Sequence, residues 1–342
     1  MTISIGILGA TGYTGAELIR LLHCHPEARI TYCSSRQYNG KPISEILEFL
    51  RGSYDRELEE FDASAIKERC ELVFSCLPHG VSMGFIAQIS GSVKVVDLSA
   101  DFRIRDASVY SEWYQKHTHP EMLPKAVYGL CEIYADEIRH ASLVANPGCY
   151  PTSVLLPLIP LLKSGMIEED GIIVDSKSGV SGAGRGLSLN THICEAGESF
   201  SAYKIGHSHR HIPEIEQELT KASGAPVSIE FTPHLIPITR GMLSTIYVNT
   251  TRSEGELKEC LQEFYKDAKF VRIIKGLPAT KDVRGTNRCL IAMSKSVHSG
   301  RATIISVIDN LTKGASGQAV QNMNLMFGLD EAAGLDYIPV YP

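Results

Sequence analysis

The stretch ISIGILGATGYTGAELI, residues 3–19, decides the fold. It begins with an apolar run, Ile3–Leu8, of a length that suits one buried strand, and from Ala16 to Leu22 apolar side chains recur at helical spacing. Gly6, Gly9, Gly12 and Gly15 fall at every third position across the turn between them. A pyrophosphate needs glycines there, because it must approach the backbone closely and rest on the N–H groups and positive dipole end of a helix. The pattern departs from G-x-G-x-x-G, leaving Gly9, Gly12 and Gly15 as the working set, with Thr11, Tyr13 and Thr14 between them. A plain tight turn is the alternative; the position at the head of a strand–helix array argues for a dinucleotide.

Outward from that turn, short apolar runs alternate with amphipathic stretches. Ile30–Cys33, Glu71–Cys76, Val93–Asp97 and Leu143–Ala145 read as strands, with a helix at Val81–Ile89. This rhythm predicts an α/β domain with a Rossmann-type doubly wound parallel sheet. It changes after Pro147. A helix, Tyr150–Lys163, with its prolines near turns and ends, leads to a strand at Ile172–Asp175 and a helix at Pro213–Lys221. Val227–Phe231, Leu243–Asn249, Cys289–Ser296 and Thr303–Ile308 then follow with less helix between them. Strands in direct succession predict a second, α+β domain with a mixed, largely antiparallel sheet. The expected division is residues 1–148 with 310–342, including a returning last helix at Ala315–Phe327, and residues 149–309.

The 342 residues suffice for two cores, and a hydrophobic fraction of 44% is that of a globular protein. A formal charge of −6 without a basic block argues against nucleic-acid or membrane-surface partners. The longest apolar stretch, Val154–Leu162, contains two prolines and is too short to span a bilayer. The opening residues lack the basic and apolar regions of a signal peptide. Nine cysteines without a C-x-x-C pair suit neither a disulfide framework nor a structural zinc site. A reducing, cytoplasmic location is expected.

Candidate chemistry gathers at four places. Where an NAD site usually carries Asp or Glu after the second strand, this chain has Ser34, Ser35 and Arg36, which suit the 2′-phosphate of NADP. Cys149 follows the turn Asn146-Pro147-Gly148 and opens a helix, where dipole and N–H groups favour a thiolate and can hold an oxyanion. Cys24, Cys33, Cys76 and Cys289 sit in apolar patterns and read as core. His207, His209 and His211 would point to one face if extended, as acid–base partners for the thiol. Three such imidazoles could hold zinc, but no carboxylate or cysteine at a matching spacing supports a metal. The loops Leu98–Arg103 and Ser178–Gly186 follow strands; Arg103 or Arg185 could grip a phosphate or carboxylate by a bidentate fork.

These segments resemble a known family. GATGYTGAEL (9–18), LPHG (77–80), DLSADFR (97–103), NPGCYPT (146–152), SGVSGAGR (178–185), HRHIPEI (209–215) and DNLTKGASGQAVQNMN (309–324) run in the order of the N-acetyl-gamma-glutamyl-phosphate reductases. That family is the arginine-biosynthesis branch of the aspartate-semialdehyde dehydrogenase-like superfamily. The resemblance covers nearly the entire chain. It implies that Cys149 is the nucleophile, with His211 and then His209 as acid–base candidates. It also implies that Arg103, with Arg185 and Asn146, binds substrate. NADP would meet Leu77, Pro78, His79, Ser178, Gly179, Gly182 and Asn310 besides the glycine turn. A homodimer or homotetramer is the family expectation. The same cysteine chemistry would serve an N-acetylaminoadipyl or aspartyl phosphate, and a non-catalytic NADP sensor is the rival of another class.

Overall fold

The computed structural model describes residues 2–341. They form two compact units, Met1–Pro147 with Ala315–Asp336 and Gly148–Gly314 with Tyr337–Pro342.

In the first unit the apolar runs pair as six strands, β1 (Ile3–Leu8), β2 (Ala28–Ser34), β3 (Leu72–Ser75), β4 (Lys94–Asp97), β5 (Ala126–Tyr128) and β6 (Leu143–Ala145). Their order is β2-β1-β3-β4-β6-β5, and every pairing is parallel. Helices α1 (Tyr13–His23), α2 (Ala63–Arg69), α3 (Ser82–Ile89), α4 (Ala107–Trp113) and α5 (Cys131–Arg139) link them. β3 and β6 are buried throughout, as strands covered on both faces must be. Asp62 and Asp106 start α2 and α4 by accepting from the backbone N–H groups two and three residues on. The chain leaves β1 for β2 on one side and returns to β3 on the other. That reversal is the place where doubly wound sheets bind ligands, beyond the carboxyl ends of the strands.

The last helix, Gly317–Met326, is wholly buried and packs in this unit against α5 and α1. Its Asn322 amide donates to the Gly129 carbonyl at 2.9 Å and to Asn146 Oδ1 at 3.0 Å. The expected return of the last helix is therefore what the chain does. The expected join at residue 310 differs: the units part at Gly314, and the tail from Tyr337 belongs to the second unit, where Val340 N–H donates to the Arg284 carbonyl.

The second unit opens with α6 (Cys149–Lys163). Its strands β7 (Ile172–Gly179), β8 (Ser201–Ala202), β9 (Ile229–Ile236), β10 (Met242–Asn249), β11 (Val271–Ile273), β12 (Cys289–Lys295) and β13 (Arg301–Ile308) form one sheet, ordered β11-β12-β13-β10-β7-β9-β8. Only β7·β9 and β11·β12 are parallel, so the sheet is mixed and largely antiparallel as expected. Helices α7 (Ile193–Ala196), α8 (Ile212–Ser223) and α9 (Glu254–Phe264) complete the unit. Burial alternates residue by residue along β10, and α6 packs on β10 and β13 with α8 and α9 beside it. Pro157 and Pro160 lie inside α6 rather than near its ends. The helix tolerates Pro160 because the Leu156 carbonyl, which a proline N cannot serve, accepts the Tyr265 hydroxyl at 2.6 Å.

Gly15 sets a limit on the first turn. A Cβ there would fall 2.7 Å from backbone atoms of Ala10, which cannot move as a side chain can. Gly15→Ala is therefore expected to cost about 1–3 kcal/mol of stability, as overpacking does, seen as a lower urea midpoint with unchanged slope. An unaltered midpoint would refute the close approach.

Candidate active site

At the head of α1, Gly9 takes φ 76°, and a Cβ on it would lie 2.8 Å from the Cys76 carbonyl oxygen. Gly12 caps the helix in extended conformation, and its missing Cβ faces only the Gly9 carbonyl at 3.6 Å. The three glycines thus divide the work into a left-handed turn, an open approach to the helix end, and close packing. Beyond the turn lies a cavity of about 530 Å³, lined by Gly9, Ser34, Ser35, Arg36, Glu60 and Leu77 among others. Phe61 and Phe85, edge to face at 4.5 Å, form its apolar wall. Two hydroxyls, a guanidinium and an aromatic wall fit the adenosine end of a phosphorylated dinucleotide. Cys76, read from sequence as core, is half-buried, with burial pushing its thiol up to about 12; Cys24, read the same way, is exposed at the end of α1.

The turn LPHG is held from below. Buried Asp101 accepts from Gly80 N–H at 2.6 Å, Met83 N–H at 3.0 Å and the Tyr110 hydroxyl at 2.7 Å. His79 accepts from Ala100 N–H through Nδ1 at 2.9 Å, and the Pro78 carbonyl accepts from the start of α3. Asp97, sealed at the end of β4 beside Asp101, is pushed up to about 6 by burial and by that neighbour. Arg103 is buried, and its guanidinium donates to the Asn146 and Leu98 carbonyls at 2.7 Å each. Asn146 is 0% exposed and donates to the Ala315 carbonyl at 3.1 Å. Both residues are expected to meet substrate; in the structure these bonds tie the Asn146 amide to Ala315 and the Arg103 guanidinium to the turn that precedes Cys149.

In the second unit Gly148 caps α6 and Cys149 is its first residue. The Gly148 N–H donates to Glu214 Oε1 at 2.8 Å, and Glu214 is 1% exposed. His211 is the cap of α8, with Glu214 in that helix's first turn. A Cβ at 148 would sit 2.6 Å from His211 Nε2, so glycine lets the imidazole lie where it does. The imidazole is thereby packed on the residue before the nucleophile. Gly314 closes the other side, since a Cβ there would fall 2.8 Å from Cys149 Cβ.

His209 stands behind His211. Its Nδ1 accepts from the His211 backbone N–H at 3.2 Å, so that nitrogen carries no proton. The rings of Tyr150, Tyr203, Phe231 and His211 surround it, with centroids 5.0–5.6 Å away. Burial, together with the Lys204 and Arg210 cations, pushes it down to about 4. Tyr203, whose hydroxyl lies 3.1 Å from that of Tyr150, is pushed up to about 12 by burial. The segment from His207 to His211 is turned rather than extended. His207 has φ 57°, is exposed and points toward Glu216 at 4.0 Å, so the three imidazoles do not share a face.

The loop after β7 is pinned as far as Ser181. Gly179, Val180 and Ser181 donate to the carbonyls of Gly241, Ile238 and Thr239, and a Cβ on Gly179 would meet carbonyl oxygens at 2.8–2.9 Å. A Cβ on Gly182 would approach Ser178 Oγ to 2.8 Å. Asn310 accepts from Gly241 N–H at 2.8 Å and donates to Ser181 Oγ at 2.8 Å, which ties this loop to the end of β13. Arg185 follows on an exposed stretch. Glu214, Tyr203, Gly314 and Glu60 were not picked out as site residues. Glu214 had one local signal, an acid in the first turn of a helix; each of the other three gains its neighbours only in the fold.

Two family models match the chain: the NAD binding domain of semialdehyde dehydrogenase over residues 4–141, and its dimerisation domain over residues 149–310. Among solved structures, aspartate semialdehyde dehydrogenase II of Vibrio cholerae shares the fold with TM-score 0.72 and 18% identity, covering 96% of this chain and 99% of that one. The enzyme of Candida albicans with NADP has TM-score 0.68 at 16% identity, again over 96% and 99%. The class is thus that of the semialdehyde dehydrogenases. Curated N-acetyl-gamma-glutamyl-phosphate reductases are far more similar. That of Desulforapulum autotrophicum is 52% identical over 98% of this chain and 99% of its own. That of Citrifermentans bemidjiense is 52% identical over 99% and 100%. The chain belongs to the N-acetyl-gamma-glutamyl-phosphate reductase family.

His209 yields a pH prediction. Its folded pKa, about 4, lies below the ordinary histidine value, so the unfolded chain binds more protons between these limits. Its contribution is therefore present above about pH 6.5 and lost as pH falls toward 4, to the extent of about 2–3 kcal/mol. Urea unfolding of the parent and of His209→Gln between these limits should show a shallower pH slope in the variant. Equal slopes would refute a neutral, buried His209.

Proposed function

We propose that the chain reduces N-acetyl-gamma-glutamyl phosphate to N-acetylglutamate 5-semialdehyde through a thioester on Cys149, with NADPH as reductant. The observation that carries this reading is the packing of His211 against Gly148, directly before a cysteine at a helix N-terminus. The helix end favours the thiolate, and its N–H groups stabilise the oxygen that turns negative on attack. Cys149 Sγ bonds to the acyl carbon and inorganic phosphate departs, leaving a thioester. A nicotinamide cofactor, when bound, would supply the hydride that reduces this thioester. His211 protonates the resulting oxygen and takes the proton back as the C–S bond breaks, which releases the aldehyde and restores the thiolate.

His209 is a positioning residue in this reading, because a neutral ring that accepts from the His211 backbone holds the acid–base imidazole in place. Glu214 has the same kind of role toward Gly148. Arg103 sets the turn before the nucleophile, and exposed Arg185 remains the candidate for the departing phosphate. Ser34, Ser35 and Arg36 would hold the 2′-phosphate, with the glycine turn at the pyrophosphate. Self-association fits the match of the second unit to a dimerisation domain. A cytoplasmic location fits nine cysteines without a disulfide among the described residues, none of whose helices is long and apolar enough to cross a membrane.

The test runs the reaction backwards, with NADP, phosphate and N-acetylglutamate 5-semialdehyde, following nicotinamide absorbance. Cys149→Ser should abolish phosphate-dependent reduction of NADP while leaving nucleotide binding intact. His211→Asn should lower kcat by about 10²–10⁴-fold, and His209→Asn by less. Full activity in Cys149→Ser would sink the thioester route. Turnover confined to the longer aminoadipate semialdehyde would keep the chemistry and change the substrate.

A further inference from the structure

The end of β2 lacks the carboxylate of an NAD site, yet the fold delivers one to the same place from another segment. Glu59 and Glu60 run alongside the end of β2. Ser34 and Glu59 form a parallel bridge, Glu59 N–H donates to the Cys33 carbonyl, and Ser35 N–H donates to the Glu59 carbonyl at 3.0 Å. The next residue, Glu60, is thereby set beside Ser35, and it is among the residues that line the cavity with Ser34, Ser35 and Arg36. The Tyr32 hydroxyl, donating to the Glu60 carbonyl, fixes that backbone. Among the described residues no ion pair or hydrogen bond engages either the Arg36 guanidinium or the Glu60 carboxylate. The cavity therefore presents one uncommitted charge of each sign to a ligand.

We propose that Glu60 is a second specificity-determining residue of the dinucleotide site, accepting from the ribose diol of NADH and weakening the selection that Arg36 makes for the 2′-phosphate. The two charges ask for different ligands. A guanidinium attracts the phosphate, while a carboxylate repels it and accepts from a 2′-hydroxyl, as the missing end-of-strand acid would. Glu60 is exposed, so the effect is screened and modest. The inference rests on the dinucleotide reading of this cavity and concerns how strictly the site separates the two nicotinamides.

The test measures equilibrium binding of NADPH and NADH to the full chain by nucleotide fluorescence, for the parent and for Glu60→Gln, with 2′,5′-ADP and 5′-AMP as competitors. The exposed position makes the fold tolerant of the change. Glu60→Gln should raise the preference for NADPH over NADH by about 3- to 10-fold, with 2′,5′-ADP tightening and 5′-AMP not. A preference within twofold of the parent's, or one that falls, overturns the proposal, as does equal tightening of both competitors. A parent that binds neither dinucleotide overturns the cofactor reading itself, an outcome distinct from a parent that binds NADPH and a variant that does not differ.

Discussion

A carboxylate taken out of water is costly unless hydrogen bonds to its charged form replace the lost hydration. Glu214 meets that demand where two helices begin. It lies in the first turn of α8 and accepts the N–H of Gly148, the cap of α6. Both helix ends carry partial positive charge, and a single buried carboxyl group links their starting points and fixes them against each other. The chemistry of the second unit depends on that arrangement. Cys149 is the first residue of one helix, and His211 is the cap of the other. His209, the tyrosine pair and Gly314 then serve to hold those two side chains in register.

Space matters as much as charge in these sites. Gly148 and Gly314 clear the sides of the nucleophile, as Gly9, Gly12 and Gly15 clear the way to the dinucleotide turn. A methyl group at 148 would displace the imidazole, and one at 15 would push the helix off the turn at Ala10. The backbone is the binding surface at these points, and side chains such as Asp101 and Asn310 work mainly to keep its loops in one conformation.

Local signals made much of this legible in the sequence. β1 and β6 have the bounds that their apolar runs indicate, and the Gly9–Gly15 spacing marks the dinucleotide turn. Cys149 stands out because a turn sequence and a helix start are adjacent in the chain. What the sequence hid depends on contacts between distant residues. The three histidines look equivalent when extended; only the turn at His207, the aromatic ring set around His209 and the absent side chain of Gly148 separate their roles. Asn146 and Arg103 look like ligand residues, and only the fold shows that Ala315, Asn322 and Leu98 also bond to their polar atoms. Glu60 carries no signal at all, since its meaning comes from a bridge to a strand far earlier in the chain.

The path of the chain has a consequence for synthesis. The first unit contains both the opening residues and the buried last helix, whose Asn322 completes the pairing of Gly129 and Asn146. Emerging from the ribosome, the second unit can gather its whole sheet as soon as Ile308 is out. The first unit must wait, with one flank of its parallel sheet uncovered, until Met326 follows. Vectorial folding thus closes the sheet of the second unit before the last helix of the first is made, and for that interval the apolar flank of the unit begun first is the part of the nascent chain most in need of a chaperone.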